Sequence, residues 1–229
     1  MPLLSIVIPV YNEAKTIRQI LEKIHSVDIN KEIIVVDNCS TDGTQDILQD
    51  SLRKREFNDI RVLYHSYNKG KGESVKDGIG EATGEFVVIQ DADLEYDPRE
   101  YSNLLKPLLE NKADLTLGAR FTSGHSGLML HRLGNEFLTK FLNSMFKSHL
   151  NEYATCYKMA RKDTFLSLKL RSQSFYIEVE IICKALKNRL RIIEVPISYY
   201  PRSYADGKKI RWFDGLQAII SILKYRCIK

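Results

Sequence analysis

Apolar segments alternate with amphipathic segments along the first half of the chain. Four apolar runs have the length and β-branched composition of buried strands: residues 4–10, 32–36, 60–64 and 86–90. Apolar residues at helical spacing follow each of these runs. Because such alternation is typical of right-handed crossover connections, the pattern predicts an α/β fold with a mostly parallel, twisted sheet flanked by helices.

The starts of the first two predicted helices carry polar residues that suit helix caps. Asn12 precedes the apolar positions of the first helix and is a candidate N-cap. Residues 42–45, Asp-Gly-Thr-Gln, have the form of a capping box before the second helix. Both features predict where the chain leaves a strand and enters a helix.

The regular alternation ends after a fifth predicted strand at residues 114–118. The helix beyond the Gly/Ser loop at residues 123–127 is either a core helix or a helix that lies in a membrane interface. Its apolar side comprises Phe137, Leu138, Phe141, Leu142, Met145 and Phe146, and its polar side comprises Thr139, Lys140, Asn143 and Lys147. Strand and helix return over residues 156–200, and residues 212–225 are predicted to form an amphipathic helix.

Composition narrows the class of protein. With 229 residues and 44% hydrophobic content, the chain can bury a full core, which predicts one domain over residues 1–229, either one large α/β domain or a domain with a subsidiary lobe. Four cysteines without a C-x-x-C pair fit neither a disulfide framework nor a zinc site, and they indicate a reducing cytosol. No signal-peptide pattern opens the chain, and no apolar run approaches the roughly 20 residues of a membrane helix.

The net charge of +5 is unevenly distributed. Residues 187–229 contain ten Lys and Arg against three acids, a net charge of +7, which leaves residues 1–186 at −2. Cations at the C-terminal end of the last helix interact favourably with the helix dipole. That explanation does not cover Arg202, Lys208 and Lys209, so the basic end requires an explanation of its own.

Three carboxylates stand at alternate positions where the strand at residues 86–90 ends: Asp91, Asp93 and Glu95. Their mutual repulsion is costly away from water unless a positive charge compensates it. Hard oxygen ligands suit Mg²⁺ or Mn²⁺, and few are needed when a diphosphate supplies the remaining ligands. The pattern favours a metal site over the alternative, a solvated acidic turn.

Polar residues follow the ends of several predicted strands, so we expect them along one edge of the sheet, where ligands bind in such folds. They are Tyr11, Asp37, Lys69, Lys71, Asp91 and Asp93. The Gly-Lys-Gly turn at residues 70–72 is either a flexible turn with solvated lysines or a basic lip over a nucleotide. It lacks the P-loop spacing, and no G-x-G-x-x-G follows the first strand, which excludes the P-loop NTPases and the dinucleotide-binding fold.

Several motifs, in this order, resemble those of the family-two glycosyltransferases of the GT-A fold. The first half carries I-V-I-P-V-Y-N-E, V-V-D-N-C-S-T-D-G-T, N-K-G-K-G, D-A-D-L-E and G-A-R-F. The second half carries H-R-L-G-N, T-C-Y-K, F-Y-I-E-V-E-I, E-V-P-I-S-Y and R-x-Y-x-x-G-K-K, which resemble the dolichyl-phosphate mannose synthase-like branch. The resemblance covers nearly the whole chain. It implies a nucleotide-sugar-binding half at residues 1–118 and an acceptor-binding half with amphipathic helices at residues 119–229.

The resemblance also implies roles for individual residues. The positions that match its nucleotide-binding segments are Pro9, Tyr11, Glu13, Asp37 and Lys71. Those that match its metal and diphosphate site are Asp91, Asp93 and Glu95, and those that match contacts to the phosphate of an acceptor lipid are Arg120 and Arg132. Arg202, with Lys208 or Lys209, matches a loop that closes on the donor diphosphate. Asp93, Arg202 and Lys208 are therefore the candidate catalytic residues.

The resemblance leaves the sugar and the nucleotide base open. Synthases of the mannosyl type usually have Gln at the position of Glu95, and S-G-F-K/R where this chain has T-C-Y-K. They also have a Ser-Lys pair at the position of Lys208 and Lys209. The donor is accordingly GDP-mannose or a UDP-hexose.

The predicted reaction is the metal-dependent, inverting transfer of a sugar from a nucleotide sugar to a polyprenyl or dolichyl phosphate. A phosphate monoester is already largely a dianion at neutral pH, so it requires no general base. A lipid acceptor implies peripheral attachment to the cytoplasmic face of a membrane, through the basic end and apolar anchors. The candidate anchors are Phe137, Phe141, Trp212 and Phe213. No nucleic acid partner is expected.

Three alternatives remain open at this point. A sugar hydroxyl as acceptor would need deprotonation, for which Glu152 or Glu178 is the candidate base. A non-catalytic nucleotide-sugar-binding protein would keep the fold without the reaction. A nucleotidyltransferase is disfavoured because its glycine-rich signature near the N-terminus is missing.

Overall fold

A computed structural model describes residues 2–57, 59–120, 129–202 and 212–227, and the side chains of residues 129–132 and 212–214 fall outside the description. The strands are β1 (Leu4–Val10), β2 (Lys31–Asp37), β3 (Ile60–Tyr64), β4 (Phe86–Ile89), β5 (Leu115–Ala119), β6 (Lys158–Arg161) and β7 (Ile192–Pro196). The helices are α1 (Ile17–His25), α2 (Thr44–Arg53), α3 (Lys71–Glu81), α4 (Tyr101–Leu109), α5 (Met129–Phe146), α6 (Lys162–Ser167), α7 (Ile177–Lys187) and α8 (Trp212–Cys227). A 3₁₀ turn at Pro98–Glu100 leads into α4.

The described strands form one sheet in the order β3-β2-β1-β4-β6-β5-β7. Of these seven strands, only β6 is antiparallel to its neighbours, β4 and β5. The four strands predicted in the first half pair in parallel, with β1 between β2 and β4. The predicted mostly parallel sheet is therefore confirmed, and the carboxyl ends of β1 to β4 lie at one edge.

Helices cover both faces of the sheet. On β1, Leu4, Ile6 and Ile8 point to one face while Val7 points to the other, as the period of two in a strand requires. Side chains of α1, α2 and α4 pack on the first face, and side chains of α3, α5, α6, α7 and α8 pack on the second. The chain thus buries two apolar layers, one on each side of the sheet.

The first helix begins later than the sequence predicts, so the assignment of Asn12 as its N-cap is wrong. The helix starts at Ile17, after Thr16. Asn12 has a φ of 56°, and its side-chain oxygen accepts a hydrogen bond from the Thr41 backbone N–H at 2.8 Å. Its side chain therefore joins the segment after β1 to the segment after β2.

The capping box predicted at residues 42–45 does not form. Gly43, with a φ of 94°, precedes α2 and has no capping side chain. Asp42 accepts a hydrogen bond from the Thr44 backbone N–H at 3.1 Å, but the Gln45 side chain donates to Asp37 instead of reaching back. The Gln45 amide bonds to the buried Asp37 carboxylate at the end of β2, because an ionised carboxylate is a strong hydrogen-bond acceptor.

The long helix α5 packs against the core with most of its predicted apolar side. Leu138 and Leu142 are buried, and Phe141 packs partly against the core, whereas Phe137 is 62% exposed. Thr139, predicted on the polar side, is buried, and its hydroxyl donates to the Asn135 carbonyl. None of the helices in the described part of the chain is long and apolar enough to cross a membrane.

The start of α3 packs closely on the segment that precedes α7. The Gly72 backbone N–H donates to the Gln173 carbonyl at 2.9 Å. A Cβ at position 72 would lie 2.4 Å from the Ser172 carbonyl oxygen, which is inside van der Waals contact. Glycine at this position therefore allows two backbone segments to approach and brings Lys71 to the edge of the sheet.

We predict that Gly72→Ala lowers the free energy of unfolding by about 1–3 kcal/mol, because the added methyl group overpacks a backbone contact. Gly80→Ala is the matched control on the same helix, where a Cβ would meet nothing within 4 Å. That change should raise stability by up to about 1 kcal/mol. Urea unfolding followed by circular dichroism measures both, and equal effects of the two substitutions would contradict the packing argument.

Candidate functional site

Four acidic residues that follow the parallel strands lie along one edge of the sheet. We call this group the acidic rim, and its members are Glu13, Asp91, Asp93 and Glu95. β1 and β2 end in register at Val10 and Asp37, and β4 lies on the other side of β1. Glu13 therefore lies after the central strand and Asp91 to Glu95 after its neighbour. Arg202, beyond β7, and Lys71, at the start of α3, approach the same edge.

Lys71 belongs to a buried chain of alternating charges. Its ammonium lies 2.8 Å from Asp91 and 3.1 Å from Glu178. The second oxygen of Glu178 lies 2.6 Å from the ammonium of Lys158, which is fully buried and also donates to the Thr155 carbonyl. Four charges of alternating sign therefore run from Lys158 on β6, through Glu178 on α7 and Lys71 on α3, to Asp91 on the rim.

This environment keeps Lys71 and Asp91 charged. Burial alone would lower the pKa of Lys71, but the charges of Asp91 and Glu178 raise that pKa well above its usual value. Burial alone would raise the pKa of Asp91, but the Lys71 ammonium brings it below its usual value. Because the side chain of Lys71 is only 10% exposed, the interpretation of residues 70–72 as a flexible turn with solvated lysines is wrong for this residue.

Two residues beside Asp91 fix its surroundings. Gln90 is buried, its side-chain oxygen accepts hydrogen bonds from the hydroxyls of Tyr101 and Tyr157, and its amide donates to the Asp91 carbonyl. The Cys156 thiol lies 3.4 Å from the Lys71 ammonium. Burial, followed by the charge of Asp91, raises the pKa of Cys156 well above its usual value, so the thiol stays protonated.

Asp93 and Glu13 share a single guanidinium. Arg202 Nη1 lies 3.0 Å from Glu13 Oε2, and Arg202 Nη2 lies 3.0 Å from Asp93 Oδ2. Burial and the charges of Asp91 and Glu95 raise the pKa of Asp93 to about 7, and Arg202 only partly offsets them. The acidic rim is therefore incompletely neutralised at this point.

Glu95 holds the segment that carries Arg202. One carboxylate oxygen accepts a hydrogen bond from the Tyr199 hydroxyl at 3.0 Å, and the other accepts from the Arg202 backbone N–H at 2.9 Å. The Glu95 carbonyl accepts from the Tyr200 backbone N–H, and Tyr96 forms a β-bridge with Tyr199. The chain after β7 is thus tied to the chain after β4.

The acidic rim fits a divalent cation in charge and in donor chemistry. Its four carboxylates face two cations, Lys71 and Arg202, which leaves a formal excess of two negative charges. Carboxylate oxygens are the ligands that Mg²⁺ and Mn²⁺ prefer. Within the described residues, however, no three acidic, His or Cys side chains converge to hold a metal by themselves. Metal ligation by Asp91, Asp93 and Glu95 stays a prediction in which a diphosphate supplies further ligands.

Asp37 and Arg202, at the edge of the sheet, each carry a buried polar atom without a hydrogen-bond partner among the residues that the structure describes. Asp37 is buried, and one oxygen accepts from the Ser40 backbone N–H and from Gln45, while Oδ1 has no partner. Arg202 Nε is the second such atom. An unpaired acceptor and an unpaired donor fit a ligand with both N–H or O–H groups and anionic oxygens. A nucleotide diphosphate has both.

The residues predicted to bind an acceptor phosphate are described only in part. Arg120 is mostly buried, donates through Nε and its backbone N–H to Glu152, and stacks 4.9 Å from the centre of the Tyr199 ring. Burial would lower its pKa, but Tyr96 and Glu152 raise it well above the usual value. The side chain of Arg132, and Lys208 and Lys209 entirely, lie outside the described residues. The acceptor role of Arg120 and Arg132 stays a prediction.

Comparison with known families agrees with this arrangement. The family described as "Glycosyl transferase family 2" matches residues 5–168, which include all of β1 except Leu4, the whole of β2 to β6 and the whole acidic rim. The chain belongs to glycosyl transferase family 2. The predicted family is therefore confirmed, and the region beyond residue 168, which carries Glu178 and Arg202, lies outside that match.

Two curated relatives of this family 2 chain come from archaea. The glycosyltransferase AglJ of Haloferax volcanii is 28% identical over 200 residues, which are 86% of this chain and 63% of the relative. A dolichol-phosphate mannosyltransferase of Pyrococcus furiosus is 25% identical over 241 aligned residues, which cover 96% of this chain and 64% of the relative. The chain thus spans slightly less than two thirds of the length of either relative.

Solved structures establish the fold. The glucosyl-3-phosphoglycerate synthase of Mycobacterium tuberculosis, in complex with phosphoglyceric acid, superposes with a TM-score of 0.75 at 21% identity. The superposition covers all of this chain and 81% of the synthase. Another structure of that enzyme, which contains Mn²⁺ and uridine diphosphate, gives a TM-score of 0.74. The predicted GT-A fold is confirmed.

Sequence reasoning missed several residues that shape the site of this family 2 protein. The sequence motifs contain Lys158, Cys156 and Tyr199 without distinguishing them from their neighbours, and the predicted strand at residues 86–90 includes Gln90 as its last residue. Lys158 begins β6, a short strand whose first three residues are buried, and a buried ammonium needs an acid from elsewhere in the chain. The partner of Tyr199 could not be inferred, since Glu95 lies more than 100 residues away.

We predict that Glu178→Gln lowers stability by about 3–5 kcal/mol, because the change leaves the fully buried Lys158 without its counter-ion. Lys158→Met should cost at least about 2 kcal/mol less, since Glu178 keeps Lys71 as its partner and an apolar side chain suits the site. Chemical unfolding of both variants measures the difference. Equal losses of unfolding free energy in the two variants would contradict the assignment of Glu178 as the counter-ion that Lys158 requires.

Proposed function

We propose that this protein transfers a sugar from a nucleotide diphosphate sugar to the phosphate of a polyprenyl phosphate at a membrane surface. Membership of family 2 supports the glycosyl transfer. Similarity to a relative named dolichol-phosphate mannosyltransferase supports the lipid phosphate. The chain covers less than two thirds of that relative's length, so the choice of acceptor depends on the residues of the site itself.

The observation that carries the proposal is that both candidate bases are engaged in buried ion pairs. Glu152 is 1% exposed and bonds Arg120, and Glu178 lies between two lysines. Both oxygens of each carboxylate are already in contact with cationic side chains or the adjoining backbone, those of Glu152 with Arg120 and those of Glu178 with Lys71 and Lys158, so neither carboxylate is placed to meet an acceptor hydroxyl. An acceptor hydroxyl requires a base, whereas a phosphate dianion brings its own negative charge. The ion pairs therefore favour a phosphate acceptor.

On the donor side, the unpaired Asp37 Oδ1 suits an N–H or O–H group of the nucleoside, and the unpaired Arg202 Nε suits a phosphate oxygen. Pro9, Tyr11 and Lys71 belong to the same edge of the sheet. A divalent cation, when bound near Asp91 and Asp93, would stabilise the negative charge of the leaving diphosphate. Arg202 would supply further positive charge there, together with Lys208 or Lys209.

On the acceptor side, Arg120 and Arg132 would orient the lipid phosphate. Glu152 and the Tyr199 ring hold the Arg120 guanidinium in one position, and Tyr199 is in turn bonded to Glu95. This chain of contacts connects the acceptor cation to the acidic rim. A fixed guanidinium lowers some of the charge on the nucleophile but defines its direction of attack.

Exposed apolar side chains supply a surface for the membrane. Leu216, Ile220 and Leu223 are 54%, 51% and 43% exposed and recur at helical spacing along α8. They lie opposite the buried Ala218 and Ile222. Phe137 on α5, which contacts α8, is also exposed, and basic residues end α8. Phe141 is partly packed in the core, so it is a weaker anchor than Phe137, and the side chains of Trp212 and Phe213 lie outside the description.

The transfer reaction is tested with a panel of labelled GDP-mannose and UDP-hexoses, followed by extraction into organic solvent. We expect extractable product only with polyprenyl phosphate and a divalent cation, because both the nucleophile and the leaving-group charge depend on them. Asp93→Asn and treatment with EDTA should abolish it. Product formed on soluble sugar hydroxyls, or turnover at the wild-type rate after EDTA treatment, would contradict the proposal.

Glutamine variants in the same assay separate the two acceptor chemistries. Glu152→Gln and Glu178→Gln should keep kcat, per folded molecule, within about tenfold of wild type, whereas loss of a general base typically costs 10²–10⁴-fold. The folded fraction is taken from the unfolding curve of each variant. A loss of about a thousandfold in a folded variant would favour a hydroxyl acceptor.

We predict salt-sensitive binding to anionic vesicles. The cations near the surface contribute about 1 kcal/mol each, and 1 M salt shortens the Debye length to about 3 Å. Leu216→Gln combined with Ile220→Gln should weaken binding, because apolar area leaves the interface. Leu109→Gln, an equally exposed residue on the opposite face of the sheet, is the control. Sedimentation with the vesicles measures binding. Protein that remains in the supernatant at low salt would contradict the proposed binding to a membrane surface.

A further inference from the structure

Arg202 joins residues that follow three different strands. Its two terminal nitrogens contact Glu13, after β1, and Asp93, after β4. Its own segment follows β7 and reaches the rim because both oxygens of Glu95 hold it, through the Tyr199 hydroxyl and the Arg202 backbone N–H. The guanidinium therefore occupies the gap between two acids whose side chains are only 12% and 13% exposed.

The guanidinium is incompletely satisfied in this position. Nη1 and Nη2 have carboxylate partners, but Nε is buried and has none within the described part of the chain. A buried donor without an acceptor is costly, and arginine donors match phosphate oxygens closely. The described contacts thus give Arg202 two carboxylate partners that it can release. Its Nε is a further donor that could bond to a diphosphate oxygen.

We propose that Arg202 is the resting counter-ion of Glu13 and Asp93, and that it leaves these acids for the donor diphosphate when a divalent cation and the nucleotide bind together. The inference rests on the proposed nucleotide diphosphate donor and adds a thermodynamic property to it. Metal and nucleotide each bind weakly alone and strongly together, and Arg202 is the residue that couples them.

The coupling follows from the charges on the acidic rim. A metal ion that arrives alone competes with the guanidinium for Asp93, and it leaves Arg202 beside a second cation. A nucleotide that arrives alone brings negative charge to a rim that already has an excess of carboxylates. When both arrive, the metal takes the place of Arg202 beside the acids, and the released guanidinium meets the diphosphate. Each group then has an opposite charge nearby.

Glu95 is a positioning residue in this scheme. Its carboxylate contacts the segment of Arg202 through two hydrogen bonds, so it restricts where the guanidinium can move. Glutamine at this position could accept through one oxygen only. Glu95 therefore sets how easily Arg202 changes partners.

The test measures the affinity of the whole chain for Mn²⁺ by electron paramagnetic resonance of the free ion, with and without UDP or GDP. Couplings between sites typically amount to 5–150-fold in affinity. We expect at least one of the two nucleotides to tighten Mn²⁺ binding by about tenfold or more in the wild type. Equal Mn²⁺ affinity in the absence and presence of both nucleotides would overturn the proposal.

Variants assign the coupling to Arg202. Arg202→Gln should bind Mn²⁺ more tightly than wild type without nucleotide, because Asp93 is released, and the nucleotide should then add little. Arg202→Lys should give intermediate coupling, since one ammonium cannot span Glu13 and Asp93 as a guanidinium does. Arg61, near the start of β3 and so at the opposite end of the strands from the rim, pairs with Glu32 and Glu81, and Arg61→Gln should retain the wild-type coupling.

The outcome is independent of the acceptor. If Arg202→Gln keeps both the wild-type Mn²⁺ affinity and the wild-type coupling, Arg202 is not the resting counter-ion, whatever the enzyme glycosylates. If the coupling depends on Arg202 but no lipid phosphate is glycosylated, the counter-ion inference stands and the proposed acceptor falls. Thermal melting of each variant confirms that the compared proteins are folded.

Discussion

The cost of gathering carboxylates at the end of a buried strand governs this structure. Asp91, Asp93 and Glu95 follow β4 and meet Glu13 from β1, where burial and mutual repulsion raise the pKa of Asp93 to about 7. Such a group of acids can persist in a folded protein only if cations approach it. Lys71 and Arg202 provide that charge from segments that are distant in the sequence.

These cations also unite the two halves of the chain. Lys71 is held from one side by Asp91 in the first half and from the other by Glu178 in the second half, which in turn pairs with Lys158. Buried ion pairs of this kind contribute little net stability, but breaking one is expensive. Their benefit here is geometric, because they hold α3, α7 and β6 in one arrangement around the rim. The close approach at Gly72 serves the same arrangement.

The same charges define the chemistry that the site suits. The buried acids Glu152 and Glu178 are occupied by cations, which disfavours base catalysis and favours an acceptor that is already anionic. The excess negative charge of the rim, which would repel an anionic donor, suits a donor that arrives with a divalent cation. Compensation of negative charge is thus what the proposed donor diphosphate and the proposed acceptor phosphate have in common.

The sequence by itself determined the parallel strands, the position of the acids and the edge of the sheet at which they meet. These features depend on local periodicity and on the rule that parallel strands end at one edge, so the family resemblance and the residues agreed on them. The sequence did not determine which side chains pair with one another in the folded chain. The Gln45 side chain turned to Asp37 rather than to its own helix, and Arg120 turned to Glu152. Glu95, which the sequence grouped with the metal ligands, holds Tyr199 and Arg202. Each choice depends on a competing group that is remote in the sequence and becomes a neighbour only when the sheet is complete, so only the tertiary structure could decide it.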